Sequence, residues 1–149
     1  MSRPRTLSVA VDHILPAAPE TVFRALTEPD LYARWMGPEG STTTVQEMNV
    51  VPGGQFAFVV SLPNGVSVRL SGTYLEVDPP RRLVHTWQVE GEEAVTTVTI
   101  GLNPFDAETH VVLTHEGFTD EIDLLRNKGG WEHQLDRLAR LLETDLPDQ

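Results

Sequence analysis

Near its C-terminal end the chain reads Gly130-Trp131-Glu132-His133-Gln134-Leu135-Asp136-Arg137-Leu138-Ala139-Arg140-Leu141-Leu142, in which Trp131, Leu135, Leu138 and Leu142 recur at steps of four, three and four residues. That spacing puts the four side chains on one stripe of an α-helix. Asp136 and Arg140 fall on the other side, one turn apart, where they can pair. His133 lies about 200° around from Trp131, on the wet side. Helical spacing extends from about Asp120 to Thr144. Gly129-Gly130 interrupts it, which predicts either a break between two helical pieces or a backbone pressed close to a sheet. A long helix with one apolar stripe needs a surface to cover.

That surface is written upstream. From Thr42 to Gly117 short runs of alternating apolar residues are separated by turn signals, the pattern of an antiparallel meander. The breaks are Pro52-Gly53-Gly54, Pro63-Asn64-Gly65, Asp78-Pro79-Pro80, Gly91 and Asn103-Pro104. Asn64-Gly65 predicts a two-residue type I′ hairpin, because both central positions need positive φ. Between the breaks, Phe56/Phe58/Val60, Val66/Val68/Leu70, Leu83/His85/Trp87/Val89, Val98/Ile100/Leu102 and Val111/Leu113/His115 each mark one face of a strand. Gly72 is expected to mark a bulge that changes the parity before Leu75 and Val77.

Further upstream, Thr6–Ile14 alternates with Leu7, Val9 and Val11 on one face and reads as a half-buried strand. Pro19-Glu20 suits the first turn of a helix, whose apolar face is Val22, Ala25 and Leu26. Thr27-Glu28-Pro29-Asp30 resembles a capping box and predicts a second short helix, with Leu31 and Trp35 one turn apart, ending at Gly37-Pro38. The fold class is therefore α+β: a curved antiparallel sheet wrapped around a long C-terminal helix, with two short helices after the first strand. Residues 1–149 read as a single domain, with 1–5 and 145–149 as flexible ends.

Composition narrows the partners. The chain has 149 residues, 22 acids against 11 bases and a net charge of −11. Such a chain repels phosphate backbones unless its bases cluster, and Arg3, Arg5, Arg24, Arg34, Arg69, Arg81, Arg82, Arg126, Lys128, Arg137 and Arg140 are dispersed. No nucleic-acid partner is expected. The absence of cysteine excludes disulfides, thiolate metal sites and a cysteine nucleophile. No apolar run is long enough for a membrane span, and Met1–Arg5 lacks the apolar core of a signal peptide. A cytoplasmic location is the simplest expectation.

Several segments together resemble one known family. They are Ala18–Pro29, Trp35, Pro52-Gly53-Gly54, Gly72 with Glu76–Trp87, Thr114-His115-Glu116-Gly117-Phe118, and Gly130–Leu142. In this order, over about Leu7 to Leu142, they resemble the activator-of-Hsp90-ATPase-homologue-1-like family of the helix-grip, START-like superfamily, known also from birch pollen allergen and polyketide cyclases. The resemblance implies a helix-grip fold. It implies a wide range of functions, including ligand binding, lipid carriage, cyclisation and a co-chaperone domain, among which fold does not choose. The family's eukaryotic co-chaperone carries an additional N-terminal domain for which 149 residues leave no room, so a chaperone interaction is not expected.

The leading functional reading is binding of a small hydrophobic or amphipathic molecule in a cavity between the sheet and the C-terminal helix. The cavity residues are Trp35, Phe58, His85, Trp87, His115, Trp131 and Leu135. Trp87 and Trp131, facing each other from sheet and helix, would form walls with their N–H groups available to the ligand. His85 and His115 share the parity of their strands' apolar residues and point into the same space. A cyclase or lyase acting on a ligand there is the second reading, and a chaperone-associated protein-binding domain the third. No catalytic residue, metal site or cofactor is assigned: His115-Glu116 lacks the second histidine of a zincin helix, Gly37-Pro38-Glu39-Gly40-Ser41-Thr42 lacks the lysine of a phosphate loop, and no serine sits in G-x-S-x-G. A homodimer is left open.

Overall fold

A computed structural model describes residues 6–144 and 146. The expected flexible ends fall outside these residues, Leu146 excepted. The element order is β1 (Leu7–Leu15), α1 (Pro19–Thr27), α2 (Pro29–Trp35), β2 (Thr42–Met48), β3 (Gln55–Ser61), β4 (Ser67–Asp78), β5 (Arg82–Val89), β6 (Thr96–Phe105), β7 (Glu108–Phe118) and α3 (Glu121–Leu142). All seven strands form one antiparallel sheet in the order β1-β7-β6-β5-β4-β3-β2. Consecutive strands from β2 to β7 pair directly, which is the meander read from the turn signals. β1 closes the other edge against β7. The arrangement is α+β and helix-grip-like, as the sequence predicts.

One face of the sheet supplies the core: Phe56, Phe58, Tyr74, Leu83, Trp87, Val98, Ile100, Leu102, Val111 and Leu113 are all buried. From the helical side come Val22, Ala25 and Leu26 of α1, Leu31, Tyr32 and Trp35 of α2, and Trp131, Leu135, Leu138 and Leu142 of α3. The helical stripe is thus the buried one, and a fully buried Leu contributes about 1.5–3 kcal/mol. α3 lies mainly against β1, with lesser contact to β7 and α2. It therefore leaves part of the inner face of β3–β5 uncovered. Every buried α3 residue belongs to its C-terminal half, from Trp131 onward. No helix among the described residues is long and apolar enough to cross a membrane.

Four local expectations are corrected. The Asn64-Gly65 turn is not type I′. Gly65 N–H bonds the Leu62 carbonyl (3.0 Å), Leu62 N–H bonds the Val66 carbonyl (2.8 Å), and of the turn residues only Gly65 has positive φ. The turn instead closes one residue earlier, from Leu62 to Gly65 with Pro63-Asn64 at its centre, where the proline ring supplies the negative φ of an ordinary turn's first central position and Gly65 takes the left-handed position that follows. The bulge in β4 lies between Tyr74 and Glu76, not at Gly72. Gly72 instead permits close packing: a Cβ there would sit 2.1 Å from the Thr86 carbonyl oxygen and 2.6 Å from the Phe56 ring. Thr27 does not cap α2. Its hydroxyl donates to the Phe23 carbonyl within α1 (2.7 Å), and Glu28 stands at the cap position. Finally, α3 runs unbroken through Gly129-Gly130, and a Cβ on either glycine would meet nothing within 4 Å. The pair neither breaks the helix nor presses against the sheet.

Candidate functional site

The enclosed centre of the grip is filled by aromatic side chains. Trp87 of β5 and Trp131 of α3 are in contact, ring centroids 5.1 Å apart, so no cavity separates them. The Trp131 indole N–H is engaged by His115 Nδ1 (2.9 Å). An indole nitrogen can only donate, so Nδ1 of His115 carries the lone pair and Nε2 the proton. Nε2 donates that proton to Thr96 Oγ1 (2.6 Å between nitrogen and oxygen), and the Thr96 hydroxyl donates onward to the Trp87 carbonyl (3.2 Å). The result is a one-directional chain of hydrogen bonds that links α3, β7, β6 and β5 and uses both nitrogens of His115. Burial, with His85 nearby, pushes the His115 pKa down to about 4, so the ring is neutral at pH 7.

His85 is buried too. Its Nδ1 donates to the Thr86 carbonyl (2.9 Å), and burial, opposed by that bond, lowers its pKa to about 4. Together with Tyr32, Tyr74, Trp35 and Trp131 it lines a chamber of about 10 Å³ behind the aromatic cluster. Trp35 is fixed there by its N–H bond to the Ala25 carbonyl (2.9 Å).

The open volume lies at the mouth of the grip, where α3 stands away from the middle of the sheet. A groove of about 320 Å³ is bounded by Phe58 and Val60 of β3, Val68 and Leu70 of β4, Trp87 and Val89 of β5, Met36-Gly37-Pro38 after α2, Leu62, and Asn127, Gly130, His133 and Gln134 of α3. Among the described residues no Asp, Glu, Lys or Arg lines it. A second hollow of about 200 Å³ adjoins it across Trp87, Val89 and Asn127, and has Glu92, Thr96, His115, Asp123 and Arg126 in its wall. Gly130 helps keep the groove open simply by having no side chain.

The wall formed by residues 36–38 is clipped to α3. Gly37 N–H donates to Gln134 Oε1 (2.9 Å) and Glu39 N–H to His133 Nε2 (3.2 Å), while Arg137 donates to the Gly37 and Pro38 carbonyls and Arg140 pairs with Glu39 (3.2 Å). Gly37 has φ of 95°, and a Cβ there would meet Ser41 Oγ at 2.8 Å; only glycine suits this corner. These bonds fix what remains for a ligand. Gln134 keeps its NH₂ donors, and His133, accepting at Nε2, carries its proton on Nδ1. The Trp87 indole N–H has no partner among the described residues, and since every sealed side-chain nitrogen or oxygen is bonded, it retains accessible surface beside the hollows Trp87 lines.

The seven residues singled out from sequence therefore divide. Phe58 and Trp87 border the groove; Trp35, His85 and Trp131 border the inner chamber; His115 borders the second hollow; Leu135 is packed in the core. Sequence reading missed Gln134, Asn127, Tyr32, Tyr74 and Thr96. Asn127 had a signal, since it lies one turn before Trp131 as a polar residue on an apolar stripe. Thr96 had none, because its role arises from His115 and Trp87 on the two strands that flank it in the sheet. His133 is exposed as expected, yet it holds the loop. Among the described residues no cluster of three or more His, Asp or Glu could hold a metal ion.

Comparison with solved structures finds the same architecture in bacterial proteins. The protein CV1439 from Chromobacterium violaceum is 29% identical with a TM-score of 0.85, covering 93% of this chain and 98% of its own. NE0264 from Nitrosomonas europaea is 26% identical (TM-score 0.80; 92% and 94% covered), and CalU16 from Micromonospora echinospora 27% identical (TM-score 0.69; 91% and 75% covered). Comparison with curated proteins gives no match. The profile of the family described as activator of Hsp90 ATPase homolog 1-like protein matches residues 16–143. With the fold in agreement and most of the chain matched, this protein belongs to the activator of Hsp90 ATPase homolog 1-like family.

Proposed function

We propose that the domain binds a small, uncharged, largely apolar molecule in the groove between β3–β5 and α3. The observation that carries this reading is the groove of about 320 Å³ with apolar walls and no charged side chain. Such a site, with a few placed polar groups, is the usual form of a small-molecule pocket. The polar groups are the Trp87 indole N–H, the Gln134 carboxamide and the imidazole of His133, which suit hydroxyl or carbonyl oxygens on a mainly apolar body. A carboxylate would enter a chain of net charge −11 without a lining cation to receive it, so a fatty acid is the poorer fit. A cyclase or lyase is less well supported, because both nitrogens of His115 are already bonded and His85 lies in the inner chamber. The test is displacement of an apolar reporter dye by matched neutral polycyclic alcohols and fatty carboxylates. The reading expects saturable displacement by neutral compounds at lower concentration. It fails if nothing displaces the dye, or if the carboxylates bind more tightly.

A further inference from the structure

We infer that the chamber between α2 and the sheet is a binding site for one water molecule, held by the hydroxyls of Tyr32 and Tyr74 and by Nε2 of His85. Three observations meet there. First, all three residues line the same chamber and are more than nine-tenths buried, with 6%, 2% and 5% of their surface exposed. Second, neither phenol hydroxyl nor His85 Nε2 has a hydrogen-bond partner among the described residues, although every sealed side-chain nitrogen or oxygen is bonded. These atoms therefore keep accessible surface, and the chamber is the space their residues share. Third, the other lining groups that could compete are engaged: Trp35 N–H with the Ala25 carbonyl and Trp131 N–H with His115.

Size and chemistry then select the occupant. A volume of about 10 Å³ is at the scale that holds an ordered water and far below that of an organic ligand pocket. His85 donates from Nδ1 to the Thr86 carbonyl, so its Nε2 is a lone pair that needs a donor. Both phenols have a proton to give and lone pairs to share. A water gives one proton to Nε2 and accepts the two phenol protons, making three bonds, the usual number for a buried water. Among the described residues no carboxylate or cation lines the chamber, so an ion has nothing there to recognise it.

The site has a structural consequence for the groove. Tyr32 meets Phe58 edge-on at 5.4 Å, and Phe58 is part of the groove wall. Fixing the Tyr32 hydroxyl through water ties α2 to β4 and β5 behind that wall.

The test is a crystal structure of the wild-type protein at a resolution that places ordered water. One peak within about 2.7–3.2 Å of Tyr32 Oη, Tyr74 Oη and His85 Nε2 is expected. A dry chamber, or a phenol bonded directly to Nε2, would overturn the inference. In solution, oxygen-17 magnetic relaxation dispersion counts long-lived internal waters. The variant combining Tyr74→Phe with His85→Leu should show one fewer than the wild type, and an unchanged count is equally contrary. Should that variant not fold, Tyr32→Phe with Tyr74→Phe removes only hydroxyls and carries the same expectation.

Discussion

Leucine in place of Gly130 separates the groove from the rest of the molecule. Gly130 is exposed in the middle of α3, borders the groove, and has nothing within 4 Å of where a Cβ would lie. A Gly→Leu change in a helix interior gains about 0.8 kcal/mol in propensity. With no clash to offset that gain, Gly130→Leu should raise the midpoint of thermal or denaturant unfolding. The added isobutyl group would occupy space that a ligand needs. Displacing two or three methylene-sized contacts at about 0.8 kcal/mol each weakens binding by about 2 kcal/mol, roughly 30-fold. Gly129→Leu is the matched control, because Gly129 is equally exposed and unobstructed but does not border the groove. Unfolding curves and dye titrations on both variants should show two stabilised proteins, of which only Gly130→Leu has lost affinity. Equal affinities would refute the groove as the site. Marked destabilisation of Gly130→Leu would refute the open space from which the magnitude is worked.

Two further outcomes follow from the buried histidines. Thr96→Val keeps the shape of the side chain but removes the oxygen that receives the His115 Nε2 proton, so urea unfolding should show a loss of about 1–3 kcal/mol, the cost of a buried donor left unbonded; a neutral result would mean that the chain from Trp131 to Trp87 does not hold the sheet to the helix. His85 and His115 have folded pKa values lowered to about 4, first by burial, whereas in the unfolded chain they titrate near 6.5, at about 1.4 kcal/mol per pH unit for each group. The unfolded state then binds more protons between these values, so their contribution is fully present above pH 6.5 and is lost as pH falls toward 4. Unfolding free energies at about pH 5 should lie roughly 2–4 kcal/mol below those at pH 7, and a flat profile would contradict neutral, buried rings.

Much of this architecture is legible from periodicity. The alternation in Leu83/His85/Trp87 and Val111/Leu113/His115 and the four-three-four stepping from Trp131 to Leu142 give the buried faces directly, because burial of one side of an element is what periodicity records. Features that depend on a partner far along the chain are not written that way. Gly72 signals a special position, but whether it bulges or admits a neighbouring ring depends on Phe56 across the strand pair. Gly129-Gly130 carries the same ambiguity, resolved only by the open groove beside Gly130. Sequence parity brings Trp87 and Trp131 toward each other correctly, yet it cannot measure the distance between them. At 5.1 Å they are a contact and not two walls, and the open space lies one layer outward.

The central claim is that a neutral apolar molecule occupies the groove between β3–β5 and α3. Amide chemical-shift mapping of the isotopically labelled protein, titrated with the neutral compound that best displaces the dye, tests it most directly. Shifts should concentrate at Met36 and Gly37, at Phe58, Val60, Leu62, Val68 and Leu70, at Trp87 and Val89, and at Asn127, Gly130, His133 and Gln134, and they should saturate together. Saturable shifts confined to the outer sheet face around Glu47, Arg69 and Gln88, or no saturable shifts with any neutral compound, would contradict it.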